Sequence, residues 1–306
     1  MKRTFTVQPE NLYKRLDKFL RKQLDAIQLS SIFALLRKGN VRVNGQRQRK
    51  PSFGLQTGDV VEVTLPEKSE HRQAMQRDFS GKRKLIPTKM EISLLFENDQ
   101  LLVVEKPAGI SVHPGAGEGH RATLIEGLMH LGKKKGFQPY LVHRLDRNTS
   151  GILVVAKNLS ASRELSALLS SREVQKTYTT LVAGEVSPQS ITLPLDGKEA
   201  HTQIVSSRII HTSQGVVCLC QVDISTGRKH QIRKHLSQIG HPVLGDRTYG
   251  NPEWNSHAKK WGVSRTFLHC SELLLPYRSG KETQRLLFRS PLPPELQQVL
   301  ETLEGR

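Results

Sequence analysis

Residues 141–157, LVHRLDRNTSGILVVAK, join a charged loop to a short apolar run at Ile152 to Ala156. A run of this length behind turn-forming residues reads as a strand. The loop before it carries one carboxylate, Asp146, between Arg144 and Arg147, with Thr149, Ser150 and Gly151 close behind. An acid flanked by two cations is expected to stay ionised, because nearby positive charge favours the charged form. Such a group is a poor proton donor. It suits the role of nucleophile, electrostatic partner or base. The plain alternative is a surface ion pair at a strand start, which contributes little energy. Spacing alone leaves both open.

The chain has 306 residues, with 46 Lys and Arg against 28 Asp and Glu, a formal net charge of +18. That length suits one large domain and a small one. The positive excess is spread along the chain, which points to a polyanionic partner, nucleic acid first and an acidic membrane surface second. No apolar run approaches the roughly 18–20 residues of a spanning helix. The N-terminus lacks the apolar core of a signal peptide. The expectation is a soluble, cytoplasmic protein with no membrane partner, and nothing demands more than a monomer. Three cysteines, Cys218, Cys220 and Cys270, argue against a disulfide framework. Cys218 and Cys220 share one strand face as small apolar residues. No cysteine or histidine pair stands at zinc-finger spacing, so no metal is expected.

The first unit runs to about residue 66. Leu16, Phe19, Leu20 and Leu24 recur at helical spacing, and Ser30 or Ser31 caps a second helix carrying Ile32, Leu35 and Leu36. Val41 and Val43 alternate into Asn44-Gly45, a strong hairpin signal. A turn at Thr57-Gly58-Asp59 precedes a strand from Val60 to Val63. Arg37, Lys38, Arg42, Arg47, Arg49 and Lys50 crowd this unit with no acid between Arg37 and Lys50. This is either a solvated face or a phosphate-contacting one. Few aromatics are interleaved, so recognition by shape and backbone is expected. Residues 67–90 read as a polar, basic linker.

A larger domain spans 91–306. Leu101 to Val104 is a buried-strand candidate. The glycines at 115, 117 and 119 do not make a dinucleotide fingerprint, and no phosphate-loop motif occurs. Leu165, Leu168 and Leu169 share a helix face. Strands are expected near Tyr178 to Val182, His201 to Ile210 and Val216 to Ile224, and a helix from Arg228 to Ile239. The fold class is therefore α+β, a mixed, mainly antiparallel sheet domain preceded by a small α+β domain.

Four clusters stand out: HRLDRNTSG at Asp146, KTYTTLVAG at Tyr178, TGRKHQIRKHL at Arg233, and HPVLGDRTYG at 241–250. Each has a bland reading, as a strand aromatic, a basic helix face or an ordinary loop. Metal hydrolysis fits poorly, since His230 and His235 are five apart and no HExxH occurs. A paired-carboxylate hydrolase needs a second acid, and Asp246 serves only if the fold brings it close. The Gly-x-Ser-x-Gly elbow of a serine hydrolase is absent.

Residues 15–63, above all RKGNVRVNG and GDVVEV, resemble the S4-like RNA-binding domain. The sequence HRLDxxTSG, then HQIRxHL, then GDxxYG is similar to the pseudouridine synthases of the RluA/RluC/RluD type, which isomerise uridines in structured RNA. The similarity covers about residues 92–290. It implies that Asp146 is the catalytic aspartate, that Tyr178 stacks on the target base, and that Arg233 pairs with Asp146. It implies that Arg144 enters the RNA stack vacated by the flipped uridine, with Leu153 and Ile232 around the base. Arg228 joins the N-terminal cations as an RNA contact. Lys229 departs from the family pattern, outside the catalytic set. The resemblance implies no cofactor, because the isomerisation oxidises nothing and loses no group. Large-subunit ribosomal RNA is the expected substrate. A tRNA-directed synthase and a non-catalytic RNA-binding assembly factor are the alternatives.

Overall fold

A computed structural model describes residues 2–9, 15–24, 29–65, 85–115, 121–171, 173–279 and 282–305. Most of the expected linker, and Gly117 and Gly119, lie outside the described residues. The chain divides into two compact units, 1–86 and 87–306.

In the first unit, β1 (Lys2–Thr6), α1 (Leu16–Gln23), α2 (Leu29–Arg37), β2 (Val41–Val43), β3 (Gln46–Arg47) and β4 (Val60–Thr64) follow in order. The sheet runs β1-β4-β2-β3 and every pairing is antiparallel. The period-3.6 residues Leu16, Phe19, Leu20 and Leu24, with Ile32 and Leu36, pack against Val41, Val61 and Val63. Asn44 and Gly45 both take positive φ, 51° and 77°. That is the pair of left-handed residues a tight β2–β3 hairpin requires, so Gly45 is there for its backbone. Helix α2 already includes Ser30 and Ser31, where the sequence predicts a cap, so the helix begins earlier than expected.

The second unit contains β5 (Ser93–Glu97), β6 (Leu101–Lys106), α3 (Leu124–Lys135), β7 (Tyr140–Leu141), β8 (Ser150–Ala156), α4 (Leu159–Ser170), β9 (Gln175–Ala183), β10 (Gln189–Ile191), β11 (Thr202–Thr212) and β12 (Gly215–Ile224). It continues with α5 (Gln231–Gln238), α6 (Pro252–Lys260), β13 (Leu268–Ser279), β14 (Glu282–Arg289) and α7 (Pro294–Glu304). Among the described residues one ten-stranded sheet runs β10-β11-β12-β9-β13-β8-β6-β5, with β14 on β13 and β7 on β8. Only β13 and β8 pair parallel; the rest is antiparallel. The fold is thus mixed α+β with a mainly antiparallel sheet.

Strand β8 is buried along its whole length, as its unbroken apolar run requires. Along β9 the side chains alternate between two faces. Lys176 and Tyr178 project from one face; Leu181 and Ala183 face the other, in a cluster with Val217, Phe267 and Leu296 beneath α6 and α7. Cys218 and Cys220 are fully buried. Caps follow the sequence: the Asn158 side chain accepts from Ala161 N–H at 2.9 Å, and Asn251 accepts from Glu253 and Trp254. The Thr88 N–H donates to the Glu126 carbonyl in α3, so the last residues of the expected linker pack with the second unit.

Helix α5 begins at Gln231 rather than Arg228. His230 stands before it in the left-handed region, at φ 56°. The backbone of 228–230 therefore turns instead of winding. The expected basic helix face does not form: Arg233 is buried and Lys234 pairs with Asp196.

Candidate active site

Asp146 stands on a loop between β7 and β8 that is tied at both ends. After Leu141 the chain leaves the β8 ladder, and the His143 Nε2 takes over as acceptor for Val154 N–H at 2.9 Å. Burial, with a contribution from Lys176, pushes the His143 imidazole down to about 3, so the ring stays a neutral acceptor. Leu145 is buried as an apolar anchor, and the Thr149 N–H closes a turn on the Asp146 carbonyl at 3.1 Å.

Lys106, fully buried at the end of β6, donates to the carbonyls of Pro107, Ile110 and Arg147. Burial, aided by Arg265 and opposed by Asp146, pushes its ammonium down to about 7. On the far side Arg265 donates to the Asn148 carbonyl at 3.0 Å and to Ser150 Oγ at 2.8 Å. Ser150 Oγ lies 2.9 Å from His269 Nδ1, and His269 Nε2 lies 3.0 Å from the Ser290 carbonyl.

The cation paired with Asp146 is neither sequence neighbour. Arg147 turns its Nε to the Gly109 carbonyl at 2.9 Å, and Arg144 is exposed. Adjacent residues on a tight turn point apart, which is why flanking charge misleads here. The partner is Arg233, whose Nη1 donates to Asp146 Oδ2 at 3.1 Å. The same guanidinium makes a two-pronged contact with Asp246, Nε to Oδ2 at 2.6 Å and Nη2 to Oδ1 at 2.8 Å. The fold thus brings the second acid close, but to the arginine rather than as a twin of Asp146.

Burial alone pushes the Asp246 carboxyl up. Arg233 and the N–H groups of Thr248 and Tyr249 outweigh this and hold it below the usual carboxylate range. Arg233 in turn is disfavoured by burial but raised by both aspartates. His230 Nε2 stands 3.7 Å from Asp146 Oδ1, and its Nδ1 is 3.0 Å from the Tyr249 hydroxyl.

Tyr178 is buried on the same strand face as Lys176. Burial first, then the neighbouring Cys270 and Asp146, raises its phenol well above its ordinary range. It is a neutral aromatic surface and a donor, not a phenolate. Cys270 is pushed up to about 12 by burial and remains a thiol. Gly151 faces Cys270 across the parallel pairing; a Cβ there would meet the Cys270 carbonyl oxygen at 2.2 Å, and its φ is 112°. Only glycine allows β8 and β13 to close beside Tyr178. Leu153, two residues on, and Ile232, beside Arg233, are both buried.

Of the expected contacts, Arg228 donates its Nε to the Glu199 carbonyl. Arg37, Lys38, Arg42, Arg47, Arg49 and Lys50 are all exposed on the first unit, and among the described residues none has an acidic partner. Lys106 and Arg265 carry no sequence signal that marks them as site residues, whereas His143 lies in the HRLDRNTSG motif and Asp246 and Tyr249 lie in the GDRTYG motif. Among the described residues no group of three His, Cys, Asp or Glu could hold a metal ion.

The family model described as RNA pseudouridylate synthase matches residues 100–238, and the S4 domain model matches 14–61. The ribosomal large subunit pseudouridine synthase C of Vibrio cholerae is 35% identical over 302 residues, covering 94% of this chain and 92% of its own length. The protein of the same name from Pasteurella multocida is 36% identical over 315 residues, covering 97% and 93%. Among solved structures, human RNA pseudouridylate synthase domain containing 1 shares the fold, with a TM-score of 0.54 at 24% identity over 71% of this chain and 96% of that one. With relatives this similar over nearly its whole length, the chain belongs to the RNA pseudouridylate synthases, as an RluC/RluD-type enzyme with an N-terminal S4 domain.

Proposed function

We propose that this pseudouridine synthase isomerises uridines of large-subunit ribosomal RNA, with Asp146 as its catalytic group. The observation that carries the mechanism is the asymmetric hold on that carboxylate: Oδ2 is bound by Arg233 at 3.1 Å, while Oδ1 has no hydrogen bond among the described residues. The printed names of the similar bacterial enzymes support the ribosomal substrate.

In the reaction the bond from ribose C1′ to uracil N1 breaks and a bond from C1′ to C5 forms. The C5 proton is lost and N1 gains one, so no redox partner is consumed. Two routes suit a free carboxylate oxygen, covalent attack by Asp146 and removal of a ribose proton to give a glycal. Tyr178 offers an uncharged face for the base. Flipping the uridine costs a few kcal/mol of stacking, and exposed Arg144 fills the vacated stack. The cations of the S4 domain add phosphate contacts. The enzyme acts as a monomer.

The test is tritium release from RNA labelled at uracil C5, offering ribosomal RNA and tRNA separately to wild type and Asp146→Asn. Release from ribosomal RNA by wild type alone supports the reading. Release from tRNA alone overturns the substrate, and turnover by Asp146→Asn overturns the mechanism.

A further inference from the structure

The two oxygens of Asp146 are held unequally. Oδ2 is claimed by Arg233, and Oδ1 faces the His230 Nε2 at 3.7 Å, beyond hydrogen-bond length. His230 keeps a left-handed backbone directly before α5, a conformation that a non-glycine residue holds only when its surroundings impose it. What fixes its ring is Tyr249. The phenol oxygen lies 3.0 Å from Nδ1, with the two rings edge to face at 5.6 Å.

Tyr249 also reaches the other half of the site. Its ring lies 5.1 Å from the Arg233 guanidinium carbon, and its backbone N–H donates to Asp246 Oδ1 at 3.2 Å. One residue therefore touches His230, Arg233 and Asp246, and through the first two it bears on both oxygens of Asp146.

We propose that Tyr249 is a positioning residue that sets the tautomer of His230, so that the Nε2–H points at Asp146 Oδ1 and orients that oxygen for the reaction. This rests on the reading of Asp146 as the catalytic group. The charged groups facing the ring are Asp146, Asp246, Arg233 and Lys229, and burial keeps it neutral against the pull of the two aspartates. A neutral imidazole has one N–H. If the Tyr249 hydroxyl donates to Nδ1, that hydrogen sits on Nε2, toward the carboxylate. The opposite tautomer would aim a lone pair at Oδ1. At 3.7 Å the N–H steers the oxygen without tying it up, which leaves Oδ1 able to meet a substrate.

Tyr249→Phe removes one oxygen and keeps the ring stacked on Arg233. The expected result is a single-turnover rate roughly 10- to 100-fold lower, because small misplacements of a reacting group cost this much. RNA affinity stays at the wild-type level. His230→Gln, which places an amide N–H near the position of Nε2, retains more of the rate than His230→Leu.

A wild-type rate in Tyr249→Phe overturns the proposal, as does equal loss in the Gln and Leu variants. A loss that lies wholly in RNA affinity overturns it too. Asp146→Asn, assayed alongside with whichever RNA the wild type converts, separates the two levels. Turnover there takes down the functional reading and this proposal together. An inactive Asp146→Asn with a normal Tyr249→Phe takes down this proposal alone.

Discussion

Replacing Asp246 by Ala tests whether a buried charge pair, rather than Asp146 alone, builds the site. Asp246 and Arg233 have side chains 1% and 10% exposed, joined by two contacts of 2.6 and 2.8 Å. Truncating one member of such a pair leaves an uncompensated buried charge and costs about 3–5 kcal/mol. Here the carboxylate also accepts from the N–H groups of Thr248 and Tyr249, which lose their acceptor too. At about 2–4 °C per kcal/mol for a unit of this size, melting should fall by roughly 6–20 °C. Turnover measured well below that melting temperature should drop by about 100-fold, because Arg233 no longer aims at Asp146. The informative control is the double variant Arg233→Met/Asp246→Leu. A buried pair replaced by apolar groups of similar size is often no less stable. Calorimetry should show most of the stability restored while tritium release is no faster than in Asp246→Ala. An Asp246→Ala protein that melts within 2 °C of wild type would refute the reasoning, since the pair would then not be desolvated.

Other outcomes follow from the same structure. His143 has a folded-state pKa of about 3, below the ordinary histidine range, so the folded state binds fewer protons and stability falls as pH drops from about 6.5 toward 3. In His143→Gln that slope should flatten, read by urea unfolding across this range; parallel curves would contradict the neutral-acceptor role. Gly151→Ala places a methyl 2.2 Å from the Cys270 carbonyl at φ 112°, so the expected cost is at least about 3 kcal/mol, and a wild-type melting curve would show that β8 and β13 are not so close. Substituting Arg42, Arg47 and Arg49 by Ala should reduce the slope of log affinity against log salt by about 0.7–0.9 for each lost phosphate contact. An unchanged slope would place RNA elsewhere.

Local pattern carried much of this fold. The period of Leu16, Phe19, Leu20 and Leu24 marked α1, and Asn44-Gly45 marked the hairpin, because both depend on a few neighbouring residues. Strands β9, β11 and β12 stood close to their expected places for the same reason. The start of α5 was misplaced by three residues, since a favourable helix pattern at Arg228 gave no warning of the left-handed turn at His230.

The chemistry divides in the same way. Sequence by itself singled out Asp146, Tyr178 and the cations of the first unit, the first two as candidates through family resemblance rather than through spacing, because each lies in a short stretch of recognisable residue types. Residue spacing did not show which charges meet: the pairing of Arg233 with Asp146 entered only through the family resemblance, and the tie of Arg233 to Asp246 came from the tertiary structure. Arg144 and Arg147 adjoin Asp146 in the chain yet point elsewhere, while Arg233, 87 residues away, is its partner and Asp246 the partner of that arginine. Coulomb energy depends on distance and desolvation in space, and a turn that sends neighbours apart while a sheet brings strangers together leaves no trace in linear order.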